Sequence, residues 1–213
     1  LLENVDRLLR SPAIQRGRDF GIILSCLAEL GYSAEWRVVN AAIYGAAQRR
    51  RRTFIFAYRN DTDYGKRMAD RQADDIFLKI GLIAKAFPVE SIGAIGETEI
   101  NSDIVDVSDN FHFDFRASGY MTNYHVFTAD VVEKEEESIK LGQILEKNVA
   151  DTFFITDEAR MAKWVYLKGA KKIPRKSANG HEYVFSEGPV AFPDPWDRPG
   201  RTMLTSESTL NRS

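Results

Sequence analysis

The chain has 213 residues, 44% of them hydrophobic and 28% charged, which is an ordinary globular composition and enough length for one large domain or two small ones. A net charge of −2 excludes a wholly basic nucleic-acid binder, so any such function has to be local. One cysteine excludes a disulfide framework and fits a reducing compartment, and no apolar run reaches the length of a membrane span.

In chain order, Leu1-Leu2 closes a short apolar run at Glu3-Asn4-Val5 and reads as the end of a strand, so the chain itself reads as a piece of a longer protein. Ser11-Pro12 predicts a helix start, with a capping hydroxyl followed by proline at the first helical position. Phe20, Ile23, Leu24, Leu27 and Leu30 recur at helical spacing, and Gly31 supplies the stop. Ala34 to Val39 alternates as a strand does, with Trp36 and Val38 on one side and Arg37 and Val39 on the other. Cys26 falls mid-helix among apolar residues, with nothing nearby to lower its pKa, and is expected to pack rather than react.

Four consecutive arginines, Arg49 to Arg52, follow Gln48 and lead into the apolar stretch Thr53 to Tyr58. Guanidiniums repel one another and cannot shed their charge, so such a run beside a buried strand points to something anionic or rich in acceptors at the strand's mouth. Beyond Asn60-Asp61 the pattern predicts a helix over residues 66 to 86. Short β-rich pieces follow at residues 111 to 115, 126 to 128 and 183 to 185, with an acidic solvated turn at residues 133 to 137. Residues 160 to 180 carry seven Lys or Arg and no acid, interleaved with Trp164 and Tyr166, which alternate like core residues of a strand. His112, His125 and His181 show no metal-ligand spacing.

Glu3-Asn4-Val5, the turn Tyr44-Gly45-Ala46-Ala47 and the Gln48-x-Arg50-x-Arg52 block before a strand together resemble consecutive motifs of the cytosine-C5 DNA methyltransferases. Arg198-Pro199-Gly200-Arg201-Thr202-Met203-Leu204-Thr205 resembles the segment that leads back from that family's target-recognition domain. The chemistry fits the residue types. Methylation at C5 needs a thiolate to add at C6, which drives electron density onto N3 of the ring. A carboxylic acid on the N3 and N4 edge can donate to N3 and accept from the amino group. The resemblance gives that role to Glu3, a general acid of the kind that supplies roughly 10²- to 10⁴-fold in rate. It gives Arg50 and Arg52, which share one face of an extended backbone, contact with the ring oxygen of a flipped cytosine and support of the site. Arg49 and Arg51 face the other way, toward solvent or a nearby phosphate. Gln48 positions the loop or touches the DNA backbone, and Lys168, Lys171, Lys172, Arg175 and Lys176 are the expected phosphate contacts.

The resemblance implies an α/β fold: the C-terminal part of a Rossmann-like, S-adenosylmethionine-dependent methyltransferase domain (residues 1–60), a smaller β-rich α+β target-recognition domain (61–197) and a return segment (198–213). It implies duplex DNA as substrate, S-adenosylmethionine as methyl donor, a cognate restriction endonuclease as genetic partner and a bacterial cytoplasmic setting. The sequence holds no glycine-rich turn for the cofactor and no Pro-Cys nucleophile, so this piece alone is expected to be inactive. Two other readings stand beside it. One is a non-catalytic DNA-binding module on the same fold. The other is a tRNA-methylating relative, which the length of the insert disfavours.

Overall fold

The computed structural model describes residues 1–177 and 180–202. It opens with strand β1 (Leu2–Asn4) and a 3-10 turn over Asp6–Arg10, followed by helix α1 (Arg18–Glu29) and strand β2 (Tyr32–Asn40). The predicted helix start at Ser11-Pro12 is corrected, because the helix begins seven residues later, after Gly17 turns left-handed at φ 83°. Ser11 nevertheless serves that start from outside: its carbonyl accepts the Asp19 N–H at 3.1 Å, and its hydroxyl donates to the Asp19 carboxylate. Gly31, at φ 74°, ends the helix as expected. Cys26 lies mid-helix but is exposed. Leu24 and Ser25 take the inward stripe, and the next residue, 100° further round, faces out.

Strands β3 (Gln48–Arg49) and β4 (Arg51–Arg59) come next, then a helical stretch that is broken where a continuous helix was expected. It comprises α2 (Asp63–Ala69), α3 (Ala73–Asp75), one π-helical turn over Ile76–Ile80 and α4 (Leu82–Ala86). Gly81 breaks it with an extended ψ of 152°, and an added Cβ there would meet the Ile76 carbonyl oxygen at 2.6 Å. Strands β5 (Val89–Ile92) and β6 (Gly96–Glu99), helix α5 (Ile104–Asn110), and strands β7 (Ser118–Thr122), β8 (His125–Ala129) and β9 (Val131–Glu133) complete this part. Residues 111 to 115 form no strand. Phe111, Phe113 and Phe115 instead pack on one another and on the core, which is what their alternation served.

The chain then runs through α6 (Leu141–Ile144), α7 (Glu158–Lys168), β10 (Lys171–Lys176), β11 (Glu182–Glu187) and β12 (Gly200–Arg201). It divides into two compact units, one made of residues 1–45 and 50–137, the other of residues 46–49 and those from 138 onward. The first unit is a mixed α/β fold around a six-stranded sheet of order β1-β4-β2-β7-β8-β6, with every neighbouring pair antiparallel. Residues Asn123 and Tyr124, both at positive φ, make the two-residue turn that joins β7 to β8.

Period-two alternation assigns the two sheet faces. Trp36, Val38, Ile55 and Met121 join Phe20 and Leu24 of α1 on one face, where Phe20, Trp36 and Phe115 meet edge to face at 5.0–5.8 Å. Tyr58 and Tyr120 join Met68, Ile76 and Phe77 on the other. That second face also buries two charges from β2, Glu35 at 3% and Arg37 at 1% exposure. Arg37 donates to the carbonyls of Phe87 (2.6 Å) and Phe77 (3.0 Å), while Glu35 accepts from the Tyr64 hydroxyl (2.9 Å) and the Ile83 N–H (3.1 Å). Burial raises the Glu35 pKa and lowers that of Arg37. These two side chains fasten the broken helical stretch to the sheet.

In the second unit, α7 carries Trp164 and Tyr166, so the strand expected there is corrected to a helix. Asp157 caps it by accepting from the Arg160 N–H. Helical spacing separates the two aromatics. Trp164 is buried and stacks on Phe192 at 6.0 Å, whereas Tyr166 is 65% exposed. Among the described residues no helix is long and apolar enough to cross a membrane.

Candidate active site at the end of the sheet

Strand β1 pairs antiparallel with β4, with Glu3 opposite Phe54 and Asn4 opposite Thr53. Glu3 is therefore the diagonal neighbour of Arg52 on one face of the pair, a spacing that long side chains bridge readily. They do so here. Arg52 Nε lies 2.7 Å from Glu3 Oε1, with the Arg52 side chain 21% exposed and Glu3 about half exposed. The same guanidinium donates through Nη1 to the Arg51 carbonyl at 2.7 Å, which fixes its plane.

The arginine run alternates as an extended backbone requires. Arg50 and Arg52 are half-buried; Arg49 and Arg51 are exposed. Arg50 contributes its carbonyl to the Ala41 N–H at 3.0 Å. Arg51 is not simply solvated, because its Nε sits 3.4 Å from the Asp6 carboxylate. Arg49 and Gln48 belong to the second unit, in β3, which pairs parallel with β12 in the register Gln48 to Gly200 and Arg49 to Arg201. Thr202 Oγ1 donates to the Arg49 carbonyl at 2.7 Å, and Arg201 pairs with Asp194 at 3.0 Å. The segment from Arg198 thus meets the Gln48 block as far as Thr202, while Met203, Leu204 and Thr205 lie outside the described residues.

The five cations expected at a phosphate backbone have different surroundings. Lys171 and Lys176 stand opposite Glu187 and Glu182 at the two ends of the β10–β11 hairpin, at 3.8 and 3.9 Å. Lys171 is further held by the Leu167 carbonyl at 2.8 Å and the Tyr166 ring. Arg175 is exposed and lies over the Phe185 ring at 3.9 Å, and Lys172 is exposed opposite Ser186. Lys168 is buried at 1% exposure with Nζ 5.1 Å from the Trp164 ring, which withdraws it from any phosphate in this arrangement. Its position in the last turn of a helix, facing the same side as Trp164 four residues earlier, is the reason. No cluster of three or more metal-ligating side chains occurs among the described residues.

The family model for C-5 cytosine-specific DNA methylase matches residues 1–209. The chain belongs to this family. It is 53% identical over its whole length to the Type II methyltransferase M.Sau3AI of Staphylococcus aureus, and it spans about half (52%) of that methylase. Two shorter matches are to the Type II methyltransferases M.NgoBI of Neisseria gonorrhoeae and M.NlaIV of Neisseria lactamica. The first is 36% identical over 30% of this chain and 19% of the relative, the second 37% over 26% and 14%. No solved structure matches the chain. The chain brings two separate sequence blocks, Glu3-Asn4-Val5 and the arginine run, into contact through Glu3 and Arg52. The Asp6 to Arg51 pair beneath them was not apparent from the residue pattern, because an aspartate at a strand's exit reads equally well as a helix-start residue.

Proposed function

We propose that the chain is part of a DNA (cytosine-5-)-methyltransferase, with Glu3, Arg50 and Arg52 handling a cytosine flipped out of the duplex. The observation that carries the reading is the 2.7 Å contact between Glu3 and Arg52 in a chain of this family. A carboxyl group and a guanidinium side by side form a complementary edge for a pyrimidine. The carboxyl addresses N3 and the amino group, and the guanidinium stabilises charge that develops on the ring oxygen. The antiparallel pairing of β1 and β4 fixes their separation before substrate arrives, so little ordering remains to be done on binding.

S-adenosylmethionine, when bound, supplies the electrophilic methyl group. The residues of this chain do not fit it: β1 runs into a 3-10 turn bearing Asp6, Arg7 and Arg10 rather than a glycine-rich turn, so no step through the cofactor is assigned here. By this reading the catalytic thiolate also lies elsewhere in the parent, and the isolated 213-residue chain neither methylates DNA nor holds the cofactor. Residues 1–60 supply the end of a Rossmann-like catalytic domain, 61–197 target recognition and 198–213 the return. That division separates roles rather than sheets, since strands from both sides of residue 60 share one sheet. Exposed Lys172 and Arg175 are the strongest candidates for phosphate contact on the hairpin. The setting is the bacterial cytoplasm, with a cognate restriction endonuclease as genetic partner.

Glu3→Gln in the complete protein tests the reading. Methyl transfer to duplex DNA at saturating substrate should fall by two or more orders of magnitude, in line with the roughly 10²- to 10⁴-fold worth of a positioned acid. An unchanged rate would remove Glu3 from the chemistry, and a complete wild-type protein that binds duplex DNA without methylating it would leave only a DNA-binding module on a methylase fold.

A further inference from the structure

A cleft of about 390 Å³ opens in the first unit, on the α1 face of the sheet where β1 ends and β4 begins. Its floor includes the buried side chains Leu9 and Phe115. The carboxylates on its rim are all engaged: Asp6 with Arg51 at 3.4 Å, Asp130 with Arg116 at 3.5 Å and Asp114 with Arg16 at 3.3 Å. Two rim cations remain, Arg7 and Arg10, both exposed and neither with a hydrogen-bond or ion-pair partner among the described residues.

Their spacing gives this surplus a shape. Arg7 and Arg10 lie three apart in the 3-10 turn Asp6–Arg10, and side chains at that spacing eclipse in a three-residue-per-turn helix. Both side chains therefore leave the turn on the same side, and both are permanently charged. An oxyanion that accepts from both would relieve the repulsion through charge-assisted, forked hydrogen bonds, and tetrahedral phosphate presents oxygens for two donors at once.

We propose that Arg7 and Arg10 form a phosphate-binding site at the mouth of this cleft. The phosphate comes either from the backbone of the bound duplex, close to the base held by Glu3 and Arg52, or from a free phosphate in solution. The first source rests on the function proposed above; the site itself does not. The backbone is the favoured source because the cleft and the Glu3–Arg52 pair share one end of the β1–β4 pair on opposite faces.

The test uses the complete protein with both residues changed, Arg7→Gln and Arg10→Gln, beside the charge-preserving pair Arg7→Lys and Arg10→Lys. With the backbone as source, the slope of log affinity for duplex DNA against log salt becomes shallower by about 0.9 in the glutamine variant. Replacing single backbone phosphates by neutral methylphosphonates then weakens wild-type binding at one position and leaves the glutamine variant indifferent there. The lysine variant keeps most of the slope. With free phosphate as source, the DNA slope is unchanged, but millimolar inorganic phosphate raises the melting temperature of wild type and not of the glutamine variant. A glutamine variant that matches wild type in both experiments overturns the site. Methylation by Glu3→Gln is a separate readout, so the base-handling reading and the phosphate site can fail independently.

Discussion

Arg37 shows how much one residue can hold. Its guanidinium reaches Ser118 Oγ at 3.4 Å in addition to the carbonyls of Phe77, inside the π-helical turn, and Phe87, at the end of α4. Arg37→Met keeps the apolar stem and removes every one of these bonds, leaving orphaned buried carbonyls that cost about 1–3 kcal/mol each. The urea midpoint should drop accordingly. Arg37→Lys should recover only part of the loss, because a single ammonium lacks the fork that spans two carbonyls; a lysine variant as stable as wild type would show that charge alone suffices. The residue pattern places Arg37 correctly in a strand opposite Trp36, but an alternating strand normally puts its arginine in water. Burial on both faces comes from the helices on one side and α1 on the other, and no local signal carries that.

The start of α1 illustrates how an element can be legible while its boundary is not. The apolar period of Phe20, Leu24 and Leu27 identifies the helix, and Gly31 identifies its end. The Ser11-Pro12 signal is also real, yet it acts through space on Asp19 rather than by beginning the helix. The Ser11 hydroxyl, and after it Arg18, holds the Asp19 carboxyl below the ordinary carboxylate range. A lowered native pKa means that the unfolded chain binds the proton first. The stability from this group is therefore complete above the unfolded value near pH 4 and is lost as pH falls through the native one. Ser11→Ala should move the Asp19 titration, followed by carboxyl NMR shifts, up toward its ordinary value and flatten the acid limb of the unfolding curve. The same lesson holds for residues 111 to 115, where alternating phenylalanines imitate a strand and instead fill a core, and for Trp164 and Tyr166, where two alternating aromatics sit on a helix.

For the molecule as a whole, a net charge of −2 means that affinity for a polyanion has to come from places where cations outnumber their partners. The sequence makes the basic stretch after residue 160 visible. It does not show which of those cations are already matched, since the acids that match them arrive from the opposite strand, in the register Lys171 to Glu187 and Lys176 to Glu182. Lys172→Gln should accordingly make the salt slope of duplex binding shallower by about 0.9, whereas Lys171→Gln should leave it nearly as it was. The family, by contrast, could be read before any fold was known, because Glu3-Asn4-Val5 and the arginine block are each short continuous runs in the chain. The strand pairing of β1 with β4 is what then brings them together. That pairing has a further consequence. Glu3 and Arg52 cancel one another's charge across 2.7 Å. Under the function proposed above, the pair is electrically quiet until a base arrives, an unattractive resting place for a stray phosphate and a receptive one for a neutral, polar ring. With the phosphate site proposed above, attraction and chemistry fall to different arginines, Arg7 and Arg10 on one face of the β1–β4 pair and Arg52 on the other, so that a duplex is drawn in without its backbone occupying the seat meant for the cytosine.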